Sequence, residues 1–172
     1  MQHFITIVKM LSRISGVVST LLILLSIIVV CQMIFQRQVL GQSTIWQTEF
    51  VIFSLIAATF VGAPYVLLTR GHVNVDLLPL VLGHRGRMTL ALLSSVMALA
   101  FCFAVLWNAV PWWQEAFDTN RLTSSMWRAR MWIPFLSVPV GMGLLCLQYV
   151  ADIWAIATGR EMPFGLRPED GL

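Results

Sequence analysis

Charged residues are bunched along this chain, and between the bunches lie four long stretches of mostly apolar residues: 14–36, 50–69, 88–114 and 131–151, of 23, 20, 27 and 21 residues. None of the four contains Asp, Glu, Lys, Arg or His. About 20 apolar residues in a helix cross the hydrocarbon core of a bilayer. Only a structure that bonds its own N–H and C=O groups survives there, because no water is present to do so. The pattern therefore predicts an all-α membrane protein with four transmembrane helices. The connections, 37–49, 70–87 and 115–130, hold 13, 18 and 16 residues, too few for a separate folded unit. Residues 1–172 are expected to form a single four-helix membrane domain.

Lys9 and Arg13 precede the first apolar stretch as they would in a signal peptide. The stretch is longer than the roughly 7 to 15 apolar residues of a signal, and Ile28-Val29-Val30 offers no small residues for cleavage, so a retained helix is expected. The second connection is itself apolar, with Val73, Val75, Leu77, Leu78, Leu80, Val81 and Leu82 around Pro79. It is predicted to lie in the membrane interface as a short amphipathic segment between helices 2 and 3.

Composition agrees with this reading: 58% of residues are hydrophobic and 11% charged, with a mean hydropathy of +0.81. The net charge of +3 is better explained by topology than by nucleic acid, which is not an expected partner. An inside N-terminus puts Lys9, Arg13, Arg70, Arg85, Arg87, Arg160 and Arg167 in the cytoplasm against Arg37, Arg121, Arg128 and Arg130 outside, so both termini are expected to be cytoplasmic. Six of the seven tryptophans then fall near the outer interface. Two readings stay open: an aromatic belt at headgroup depth, or an outer docking surface for a soluble partner built from Trp112, Trp113, Arg121, Trp127, Arg128 and Arg130.

Chains that move ions or protons place ionisable groups within their helices, and these stretches have none. His3, His72 and His84 lie outside them, so haem ligation within the bundle is not expected. Cys31, Cys102 and Cys146 lie inside the stretches without metal-ligand spacing. No cofactor or metal site is expected, and no catalytic constellation can be assembled. Gln32, Ser54, Thr59, Ser94, Ser95, Asn108, Ser137 and Gln148 are candidates for bonds between helices. Ala58 with Gly62, and Ala100 with Ala104, have the spacing of close helix contacts, while Pro64, Pro134 and Pro139 imply bends. Glu49 suits the positive end of the second helix, and Asp152 could pair with Arg160 or another subunit.

Residues 70–78 read RGHVNVDLL, preceded by Gly62-Ala63 and by Trp46-Gln47-Thr48-Glu49. This combination resembles the small membrane subunit, DctQ type, of tripartite ATP-independent periplasmic (TRAP) transporters. That family has W-x-x-E at the start of its second helix, a Gly-Ala pair, and G-H-hydrophobic-x-V-D in the following inner loop. Ser124-Ser125 before Trp132-Ile133-Pro134, and Pro139-Val140-Gly141, are similar as well. The resemblance implies an accessory scaffold in the bacterial inner membrane, bound to a large multi-span subunit that holds the substrate and sodium sites. A periplasmic binding protein would deliver an organic acid to the pair. Glu49, Gly71, His72, Val75 and Asp76 match the family motif and are expected to be structural, with His72 and Asp76 fixing the inner-loop turn.

Two other functions fit four apolar helices. A self-sufficient homodimeric exporter would want a membrane-embedded acid, and a membrane anchor of a respiratory complex would want intramembrane histidines. Neither occurs in the four stretches.

Overall fold

A computed structural model describes residues 2–69 and 84–158. Its elements are α1 (Gln2–Val39), α2 (Trp46–Leu68), α3 (His84–Asp118), the single turn α4 (Trp132–Phe135) and α5 (Ser137–Ala157). Four segments are long and apolar enough to cross a membrane: His3–Val39, Trp46–Leu68, Met88–Asp118 and Trp132–Ile156. The four-helix membrane architecture expected from the sequence is thus present. The expected amphipathic segment falls largely on 70–83, outside the described residues. The last residues of that connection, from His84 onward, already belong to α3.

α1 and α3 run further at both ends than their charge-free stretches. At about 1.5 Å per residue, the 38 residues of α1 measure roughly 57 Å, well beyond a hydrocarbon core of about 30 Å. Lys9 and Arg13 do not stop α1, because both are good helix formers and their long stems can carry the charge to the interface.

Sidedness is inverted relative to a water-soluble bundle. The outward face of α1 carries Ile7, Ile14, Val17, Leu21, Leu24, Ile28 and Phe35, all exposed to what would be lipid. Its inward face steps by three and four residues through Val8, Ser12, Ser15, Ser19, Leu22, Ser26, Val29 and Met33. Lipid tails are as apolar as leucine, so burying apolar groups gains little inside a bilayer, and close approach of small residues with interhelical hydrogen bonds takes over. Four serines on one seam follow that logic.

α2 and α5 form the central pair, with α1 packed on α2 and also touching α5, and α3 packed on α5. The contacts of α2 with α1 and with α5 have glycines at the close approach. Gly16 of α1 lies under the ring of Tyr65, Gly62 of α2 lies against Ser19, and Gly141 of α5 abuts the backbone carbonyl of Phe60. Ala58, between Ser54 and Gly62 on the buried side of α2, is also buried, as its spacing predicts. Ala100 and Ala104 share that spacing but lie exposed on α3, so within this chain they bring no helix close.

Pro64 is fully buried inside α2. Pro134 sits in α4, and Leu136 separates that turn from α5. Pro139 occupies the first turn of α5, where its missing N–H has no helical partner to lose.

Candidate functional site

Three groups of polar and aromatic side chains stand out. The first joins three helices near the end of the bundle where α1 begins and α5 ends. Ser12 donates to Oε1 of Gln148 at 2.8 Å, and Nε2 of Gln148 donates to Asp152 at 2.9 Å. Gln148 has no exposed surface and Ser12 only 1%. One α-turn further along the same seam, Ser15 donates to the carbonyl of Ser12, and Ser19 reaches across to the carbonyl of Ala58 on α2 at 2.7 Å. An amide has two donors and an acceptor, so Gln148 bonds α1 with its oxygen and braces Asp152 with its nitrogen. Asp152 therefore has a neighbour on its own helix, one turn back.

Of the eight polar residues expected to bond between helices, Gln148 does so. Thr59, Ser94 and Asn108 donate to Leu55, Ala91 and Ala104 on their own helices. Ser137 turns back to Pro134. Hydroxyl and short amide side chains find a backbone carbonyl three or four residues earlier, which satisfies them without a partner helix. The sequence reading missed Ser12 and Ser19, although serines at 12, 15, 19 and 26 keep a helical period.

The second group lies where α1 ends and α2 begins. Nε2 of Gln47 donates to Oε1 of Gln36 at 2.7 Å, and Arg37 donates to Thr44 at 2.7 Å. Glu49, in the first turn of α2, has a buried Oε2 with no hydrogen-bond partner, and Oε1 of Gln47 is likewise unsatisfied. Gly71, His72, Val75 and Asp76, the other motif positions, lie outside the described residues.

The third group is the connection between α3 and α4. It is ordered by its own hydrogen bonds: Thr123 to Ala129, Met131 to Arg121, and Ala129 back to the Thr123 hydroxyl. Leu122 and Arg130 form an antiparallel bridge, and Asn120 and Arg128 take left-handed backbone angles at the turns, with φ of 49° and 50°. Arg121, Arg128 and Arg130 are exposed, and Met126 projects at the tip with 85% exposure. Trp127 is tilted against Trp46 at 6.4 Å.

Trp112 and Trp113 do different work from these arginines. Trp112 stacks on Phe135 with ring centroids 3.8 Å apart. Trp113 donates its indole N–H to the carbonyl of Trp132 at 3.1 Å, and Phe117 packs edge-on to Trp132. These rings fasten the end of α3 to α4.

A family described as tripartite ATP-independent periplasmic transporters, DctQ component, matches residues 26–159. The chain belongs to this DctQ family. The match runs from Ser26 in α1 past the end of α5, so it takes in the last part of α1 and all of the other three membrane-spanning helices. A similar protein is the C4-dicarboxylate TRAP transporter small permease protein DctQ of Vibrio cholerae serotype O1. It is 24% identical over 163 residues, covering 81% of this chain and 70% of the relative. As a DctQ-family member the chain is a small permease subunit of a TRAP transporter, a multi-pass bacterial membrane protein and a transport component rather than an enzyme. The family implies association with a large membrane subunit and a periplasmic binding protein.

Proposed function

We propose that this DctQ-family subunit is the fixed scaffold of a sodium-coupled TRAP importer of an organic acid. The large partner carries the sodium and substrate sites, and a periplasmic binding protein delivers the acid. The observation that supports this reading is the use made of Gln148: the most buried polar side chain among the described residues holds α1 to α5. A frame that stays still while a partner moves needs such internal bonds and broad apolar outer faces, and α3 has the largest such face, with only 11% of its most apolar window buried.

Both termini face the cytoplasm in this proposal, by the excess of Lys and Arg at that side. The α3–α4 connection, with Arg121, Arg128 and Arg130, then faces the periplasm as the surface available to the binding protein. The Vibrio cholerae relative is named for C4-dicarboxylates, which makes four-carbon diacids the first substrates to screen.

The test is reconstitution in liposomes with and without the large subunit, with sodium-dependent uptake of labelled acid as the readout. Uptake is expected only from the pair supplied with the binding protein. Uptake by this chain alone would overturn the scaffold reading.

A further inference from the structure

Between the first part of α1 and the end of α2 lies a cavity of about 740 Å³, lined by Lys9, Arg13, Gly16, Val17, Leu21 and Tyr65, with Thr20, Leu68 and Thr69 completing its wall. The geometry points to a site for one anionic phospholipid, with its phosphate held by Arg13 and an acyl chain laid along Val17 and Leu21.

Gly16 and Tyr65 meet at the wall of the cavity. A Cβ on Gly16 would run into the Tyr65 ring, so α1 and α2 approach closely at this point. Lys9 and Arg13 are four residues apart and share a helix face. From Lys9 to Leu21 the axis advances about 18 Å, which spans a headgroup and the upper part of an acyl chain. Val17 and Leu21 are 60% and 58% exposed, so the deep part of the cavity opens sideways to hydrocarbon rather than to water. A free phosphate would use the cationic mouth and leave that apolar length empty.

Arg13 brings positive charge to the mouth, with Lys9 beside it on the same face. The hydroxyl of Thr20 donates to the carbonyl of Gly16, and that of Thr69 donates to Tyr65 and Val66, so neither offers its proton to a ligand. Arg13 is exposed, and the five N–H donors of its guanidinium suit phosphate oxygens. A basic residue near an anionic leaflet strengthens binding about fivefold.

The test uses the full-length chain, purified and delipidated in detergent, with retained lipid counted by native mass spectrometry. Dioleoyl phosphatidylglycerol is expected to bind at least about fivefold more tightly than dioleoyl phosphatidylcholine. Arg13→Gln should remove most of that preference, whereas Arg37→Gln, which deletes the same charge at the opposite end of α1, should keep it. Val17→Trp, which fills the apolar length without touching charge, should weaken both lipids together. Equal binding of the two lipids to the unaltered chain would overturn the proposal, as would equal losses in the two arginine variants. Displacement of the lipid by glycerol phosphate at the same concentration as by a short-chain phosphatidylglycerol would also overturn it.

Discussion

Ser12 and Gln148 are 136 positions apart in the chain, yet their side chains meet at 2.8 Å in the interior of the bundle. Replacing Ser12 by alanine strands the Gln148 oxygen where no water reaches it. Bonds of this kind between membrane helices average about 0.6 kcal/mol and reach about 1.7. A double-mutant cycle of Ser12→Ala and Gln148→Leu, read by unfolding in mixed micelles, is expected to give a coupling in that range. Strictly additive effects would mean that the pair does not act as a bond.

Gly141 faces the carbonyl oxygen of Phe60, a backbone atom that cannot rotate away, whereas Gly143 meets nothing within 4 Å. Gly141→Ala should therefore push α5 off α2 and cost about 1–3 kcal/mol, the usual range for an overpacked contact. Gly143→Ala should be neutral or slightly stabilising, since alanine is the better helix former. Thermal melts of the two variants in detergent provide the comparison, and equal melting points would contradict the packing described.

Gly62 offers an intermediate case, because its close neighbour is the Ser19 hydroxyl at 2.6 Å from a built Cβ. A side chain can yield where a backbone cannot, but yielding breaks the Ser19 bond to Ala58. Gly62→Ala is expected to cost more than Gly143→Ala and less than Gly141→Ala. The order of the three melting points is the check.

Trp113→Phe keeps the ring contact with Phe117 and deletes the N–H bonded to Trp132. A loss of about 0.5–1.5 kcal/mol is expected, concentrated where α3 meets α4. Hydrogen exchange should rise in the 119–131 connection and stay unchanged around Ser12 and Gln148. A uniform rise across the chain would show that the indole bond is not local in its effect.

Glu49 keeps one carboxylate oxygen buried without a partner. In the isolated chain, Glu49→Gln should leave stability unchanged or raise it by about 1 kcal/mol, since a neutral amide is cheaper to bury than an unpaired charge. If a partner subunit supplies a donor to this oxygen, the same variant should lower the yield of assembled complex. Pull-down through a tagged large subunit measures that yield, and unchanged recovery would remove Glu49 from the assembly surface.

The number of spanning helices was legible because a stretch of about 20 residues without charge has few other fates in a chain this apolar. The family was legible in short motifs, Trp46 to Glu49 and 70–78, although the latter lies outside the described residues. Less legible was the inside of the bundle. Hydrophobic periodicity finds the buried face of a soluble helix, but along α1 apolar residues face lipid as readily as core. The serine seam was the better guide: Ser15 and Ser26 satisfy themselves on their own helix, while Ser12 and Ser19 reach across to others.

Local sequence by itself determined that α1, α2, α3 and α5 are helices long enough to cross a membrane, since that follows from apolar length and from the need of every backbone group for a partner in lipid. Which polar groups would meet was decided by tertiary structure. Gln148 and Asn108 look equivalent as polar residues in apolar helices. One joins α1 to α5, and the other folds back on Ala104 at an exposed surface. The physical reason is that a helix fixes only the direction of a side chain relative to its own axis. What lies in that direction depends on where Gly16, Gly62 and Gly141 allow neighbouring helices to come close.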